Sequence, residues 1–136
     1  MSYGQSAALQ AAVYAHLAGD ATLAGLVNGA IYDALPSGTL PTTYVTLGPE
    51  EAQARGDKTG SGALHRFGVT VTTSDAGFAD AKTIAAAISD RLDGAKPALV
   101  RGAISFMRFR RAKAARLGSG NQRQIELIFE ARLDDS

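Results

Sequence analysis

Residues 20–48 read DATLAGLVNGAIYDALPSGTLPTTYVTLG. Asp20 is a good N-cap for a short helix through Val27, because its carboxylate can accept from the unpaired N–H groups of a first helical turn. Gly29 ends that helix. Ile31 and Tyr32 follow as a brief apolar pair. Pro36 and Pro41 then hold a loop, and Tyr44–Leu47 is the first clear strand. No side chain in this stretch does chemistry. Its value lies in the order of elements, which places a helix and a strand in one small unit.

Working outward, Gln5–Leu17 reads as a helix with Leu9, Ala12, Val13 and Leu17 at helical spacing. Ser2 or Ser6 is available as its cap, and Gly19 ends it. Residues 48–62, GPEEAQARGDKTGSG, are polar and glycine-rich. They are expected to form a long loop, mobile in the free protein and ordered on assembly. Leu64–Thr73 alternates as a strand, with Phe67, Val69 and Val71 on one side and Arg66, Thr70 and Thr72 on the other. Gly77–Leu92 is the strongest helix, carrying Phe78, Ala81, Ile84, Ala85, Ile88 and Leu92 on one stripe. Gly94 and Pro97 stop it.

Leu99–Arg111 and Gln122–Leu133 read as long strands, with 113–120 as the hairpin tip between them. In the second, Ile125, Leu127, Phe129, Ala131 and Leu133 form an apolar face. Gln124, Glu126, Glu130 and Arg132 form the wet one, broken by Ile128. The first does not alternate so simply. Ile104 and Phe106 share one face, Met107 and Phe109 the other. Either a bulge shifts the register near Phe106, or both faces are covered, which would suggest an oligomer interface. Together these elements predict an α+β fold: an antiparallel sheet of about four strands with two or three helices packed on one face, in one domain over 1–136.

The chain has 136 residues and no cysteine. That length suffices for a real core without disulfide or metal staples, and the missing thiols exclude cysteine nucleophiles and zinc-thiolate or iron–sulfur sites. No apolar run approaches the ~18 residues of a membrane span. The start, MSYGQSAALQ, lacks the basic region of a signal peptide, so no membrane partner is expected. The net charge of +1 argues against general polyanion binding. The charge is segregated, however. Between Gly94 and Ile125 there is no acidic residue, against Lys96, Arg101, Arg108, Arg110, Arg111, Lys113, Arg116 and Arg123. The remaining tail is acidic through Glu126, Glu130, Asp134 and Asp135. Such a dipolar surface suits head-to-tail contacts.

No motif for catalysis stands out. His16 and His65 lack further ligands at a metal spacing and read as ordinary structural or surface histidines. Glu50 and Glu51 are adjacent in an extended chain and point apart, as do Asp134 and Asp135, so neither pair converges on one substrate atom. Residues 56–62, GDKTGSG, fail the phosphate-loop spacing. The strand-to-helix elbow of serine hydrolases is also missing. The expectation is therefore no enzyme, no catalytic residue, no metal and no cofactor.

The segment Arg108–Arg116 is the one chemical feature with a case. Three readings stay open. Arginines with an interleaved aromatic fit phosphate contact and base stacking. A solvated, charged hairpin edge fits protection against strand pairing. A ring interface would set these arginines against Glu126, Glu130 or Asp134 of a neighbour. The candidate interface residues are Met107, Arg108, Phe109, Arg110, Arg111, Lys113, Arg116, Glu126 and Glu130.

The block Leu23, Leu26, Val27, Asn28, Gly29, Ala30, Ile31, Tyr32, Asp33, then Pro36, Gly38, Leu40, Pro41, Tyr44, Val45, Leu47 and Gly48 resembles the N-terminal half of the tailed-phage tail-completion or tail-terminator family. Gene transfer agents use related parts. The strand His65–Val71 and the helix Ala81–Leu92 continue the likeness. Thr72-Thr73-Ser74 depart from it, where the family often carries an aromatic before the serine. The resemblance implies a structural, head–tail joining protein of the virion. It implies a homo-oligomeric ring, a hexamer, that caps the tail tube, stops tube growth and faces the head connector. The implied partners are other copies of itself, the tail-tube protein and the head–tail connector protein, with transient DNA contact in the lumen. The implied location is the host cytoplasm during assembly and then the tail–head junction. Two alternatives remain: a neck or connector adaptor, and a nucleic-acid-binding accessory protein using the basic hairpin.

Overall fold

The helix over Ala79–Leu92 shows best how this sequence makes its fold. Ala81, Ile84, Ala85, Ile88 and Leu92 recur every three or four residues and are all buried, so one stripe must meet a sheet. In the computed structural model the described residues are 3–54, 62–75, 77–118 and 122–135. The elements are α1 (Ser6–Ala18), α2 (Ala21–Val27), β1 (Ile31–Tyr32), β2 (Thr43–Ala54), β3 (Gly62–Thr73), α3 (Ala79–Leu92), β4 (Ala103–Arg116) and β5 (Arg123–Asp134). The expected α+β fold is the one observed, with five strands in the order β1-β2-β3-β5-β4. All pairs are antiparallel except β1 with β2.

That extra strand grows from the opening stretch. Asp20 caps α2 by accepting from the Thr22 N–H at 3.4 Å. Asn28 and Gly29 take positive φ values of 53° and 74°, the left-handed turn that ends a helix. The chain thereby reverses, and Ile31 comes alongside Val45, whose N–H bonds to the Ala30 carbonyl at 2.9 Å. α1 differs in its start. Its N-cap is Gln5 without a side-chain cap bond, and Ser6 spends its hydroxyl on Glu50 instead. Ser2 lies outside the described residues.

α3 packs on β3, β4 and β5, while α1 and α2 pack against α3 and the β1–β2 end. Leu9, Val13 and Leu17 of α1, Leu23 and Val27 of α2, and the inward residues Val45, Val69, Val71, Ile125, Leu127, Phe129 and Leu133 form one core. Among the described residues no helix packs on the opposite face of the sheet. Among the described residues no helix is long and apolar enough to cross a membrane.

Three sequence expectations need correction. The strand expected over Leu99–Arg111 starts only at Ala103, and residues 99–102 are not strand. Residues 48–54 are not loop: β2 runs on to Ala54, paired with β3 from Glu50↔Phe67 to Ala54↔Ala63. Pairing with a strong neighbouring strand overrides weak local β-propensity. Gly62 already belongs to β3, and residues 55–61 lie outside the described residues. Likewise 113–116, expected at the hairpin tip, are strand and complete β4. Residues 119–121 lie outside the described residues.

Candidate functional site: an arginine-lined sheet face and a bare strand edge

β4 does not alternate because it is bulged twice, between Ile104 and Phe106 and between Phe109 and Arg111. A bulge sets two residues against one, so the face of every following residue switches relative to simple counting. Ile104, Met107 and Phe109 therefore stand opposite Leu133, Ala131 and Phe129 on the helix side. Of the two explanations open for this strand, the bulge is the one observed. β2 has its own register shift between Leu47 and Glu50, opposite Gly68, and Gly68 pairs with Ile128. The second β4 bulge adjoins the same Ile128. The irregularities thus line up across the sheet, and a concavity in the helix-free face lies beside them.

The bulge at Arg110 also concentrates charge. Arg108 faces Glu130, Arg111 faces Ile128, and Arg110 is the inserted residue between them. All three line a concavity of about 700 Å³ together with Arg66, Pro49, Glu51 and Ile128. Glu130 is paired with two of the lining arginines, Arg66 and Arg108. The Glu130 side chain is 1% exposed, yet it accepts from Arg66 Nε at 2.9 Å and from Arg108 Nε and Nη2 at 3.1 and 2.6 Å. Arg110 Nη1 stands 3.7 Å away. Burial pushes the Glu130 carboxyl up. The hydrogen bonds from Arg108 and Arg66 and the charges of Arg110 and Arg108 more than offset this and hold it below the ordinary glutamate range. Arg108 also lies 4.9 Å from the centre of the Phe106 ring, close enough for the ring to attract its charge.

These positions sort the candidate residues. Met107 is a core residue at 2% exposure, so it offers no surface. Glu130 is spent within its own chain on Arg66 and Arg108 and is not free for a neighbour's arginine. Asp134 is engaged by Ser105 and Arg132. Phe109 is 38% exposed and packs edge-on against Phe129. Arg111, Lys113 and Arg116 are exposed and have no ion-pair partner among the described residues. Lys113 lies opposite Glu126 in register without pairing to it. Arg66, Pro49 and Glu51 escaped the sequence reading. By alternation Arg66 belongs only to the wet side of a strand, and its place beside Glu130 follows from the β3–β5 register.

A second cluster lies on the helix side. Glu50 accepts from Ser6 Oγ at 2.6 Å, from Tyr3 Oη at 3.0 Å and from His65 Nδ1 at 3.1 Å. Burial raises its carboxyl, and the bonds from Ser6, His65 and Tyr3 bring it below the ordinary range. Glu50 is thus no solvated loop charge but the tie between α1 and the sheet. Glu51, one residue on, faces the other side, as extended neighbours must. Ser6 and His65 both spend their bonds on the carboxylate, so neither is arranged to activate the other. Among the described residues no group of three or more His, Cys, Asp or Glu side chains could hold a metal ion.

β4 is also the outer strand of the sheet. Its base is covered: Gly94 N–H bonds to the Met107 carbonyl at 2.8 Å, and Phe109 N–H donates to Asp93 Oδ1 at 3.0 Å. Past Arg110 no such cover is found among the described residues.

No curated protein matches the chain. The profile of the family described as tail completion protein gp17 matches residues 11–134. Among solved structures, a chain in the virion of a native gene transfer agent particle is 52% identical. The match covers 98% of this chain and 99% of that one, with a TM-score of 0.93. The helix, turn and parallel strand over 20–48, the five-stranded sheet behind them and a profile match over nearly the whole length converge: this chain belongs to the tail completion protein gp17 family.

Proposed function

We propose that this protein acts by binding rather than by catalysis, as a structural part of the tail of a phage or gene-transfer-agent particle. In this reading copies close into a ring, a hexamer, on the last ring of the tail tube. The ring ends tail polymerisation and presents a surface to the head connector. The chain assembles in the host cytoplasm and resides at the tail–head junction. One observation carries the reading: near full-length likeness, at 52% identity, to a chain of a gene transfer agent virion. The charge-segregated sheet supports it, because a closed ring needs unlike faces on each copy. β4 supplies the basic side through Arg108, Arg110, Arg111, Lys113 and Arg116, with the half-exposed Phe109 as an apolar contact beside them. Particles made without this chain test it. Tail tubes of irregular length, detached from heads in electron micrographs, are expected. Normally joined particles of uniform tail length would overturn the reading.

A further inference from the structure

The outer edge of β4 is bare where its charges are unspent. Phe109 points its backbone N–H outward to Asp93. Ala112, Ala114 and Arg116 repeat that phase, because they pair with Leu127, Ile125 and Arg123 as Phe109 pairs with Phe129. Their outward N–H and C=O groups meet no partner among the described residues. Bare edges of this kind are templates for another strand. This one is not blocked by proline, and two of its outward positions, Ala112 and Ala114, are small and exposed.

On the other side of the sheet, β1 covers β2 only at Val45 and Thr46. Beyond it, Glu50 and Ala52 share the phase of Val45 across the bulge. The two edges differ in sign. Arg111 and Lys113 lie on the concave face beside the β4 edge, and Glu51 lies on that face beside the β2 edge.

We propose that the β4 edge, Ala112–Arg116, pairs with the β2 edge around Glu50–Ala52 of a second copy, so that the sheets of successive copies join. Both edges belong to every copy but to opposite sides, so the contact is head-to-tail, the kind that builds a ring where its rotation closes, and not a two-fold dimer. Backbone hydrogen bonds supply the adhesion. Arg111 and Lys113 against Glu51 set the choice of edge, since opposite charges on facing strands attract and like charges repel. Two β4 edges, both basic, would repel. This inference rests on the ring reading and names its contact.

The chain holds no cysteine, so engineered pairs report cleanly. Ala52→Cys is combined with Ala112→Cys and, in a second variant, with Ala114→Cys, which allows for either register. Oxidation is expected to give a ladder of covalent multimers in one of the two double variants and monomer in each single variant. Wild type that forms multimers by light scattering while neither double variant cross-links overturns the edge contact and leaves the ring standing. Wild type that stays monomeric at all concentrations overturns both. Covalent dimer from Ala112→Cys or Ala114→Cys alone places β4 on β4 and overturns the proposal. Ala114→Pro adds a backbone test, because proline is tolerated where a strand N–H faces outward. It is expected to keep the monomer's thermal midpoint within a few degrees and to lose the multimer. Unchanged multimer would refute the pairing. Glu51→Lys with Lys113→Glu should recover assembly lost in Lys113→Glu alone. Loss of duplex-DNA binding in place of assembly in that single variant would assign the edge to nucleic acid and overturn the proposal.

Discussion

Glu130 shows how a charge can be buried on the helix-free face of a sheet. Three guanidiniums roof it, and each arginine is itself about half exposed, so the cluster keeps water on its outer side. The carboxyl is held below its ordinary value. Its contribution to stability is therefore complete above the usual glutamate value of 4.5 and is lost as the pH falls through the lower folded value. Glu50 acts in the same direction. Denaturant midpoints are expected to hold from neutral pH to about that value and to drop below it. Glu130→Gln should cost about 1–2 kcal/mol at pH 7, the lower part of the range for bonds to charged groups because the arginines are solvated. It should also flatten part of the acid loss. A variant with an unchanged acid profile would show that Glu130 titrates as in the unfolded chain. The sequence placed Glu130 on the wet side of its strand, which is correct. It could not show the burial, because the roof comes from Arg66, 64 residues away, and from a hairpin partner.

At the scale of the element, the readable parts were those whose period survives folding. α3 is expected and found to bury Ile84, Ile88 and Leu92. Ile88 is fully buried, so Ile88→Ala should cost roughly 2–5 kcal/mol in chemical denaturation. A loss under about 0.5 kcal/mol would place its side chain in a site that collapses without penalty. β5 alternates as read, and α2 starts at Asp20. Asp20→Ala should cost about 0.5–1 kcal/mol, near the low end for a cap because the bond is long at 3.4 Å. The illegible elements are those made by neighbours. The outer half of β2, PEEAQA, has no strand pattern of its own and is held by β3. β4 hides its pattern because two bulges break its period. Met107 thus looked like surface and lies in the core.

For the whole molecule, a net charge of +1 conceals two unlike sides. One edge of the sheet carries Arg111, Lys113 and Arg116, without acidic partners among the described residues, and the other carries Glu51. Arg111→Glu with Lys113→Glu is expected to leave thermal unfolding of the monomer nearly unchanged, since exposed charges contribute about 0–1 kcal/mol each. It should shift light scattering toward monomer. A multimer unaffected by this double reversal would move the contact away from β4. The bulge at Arg110 has one more consequence, for the history of the chain. Losing one residue from a strand ordinarily turns every later side chain to the wrong face. Here Phe109 already pairs with Phe129 and Arg111 with Ile128, the next residue along. A gene that dropped the Arg110 codon would therefore still encode an in-register ladder, with the same core and a straighter strand. Length variation among relatives should gather at this point, where the fold absorbs a deletion and only the curvature changes.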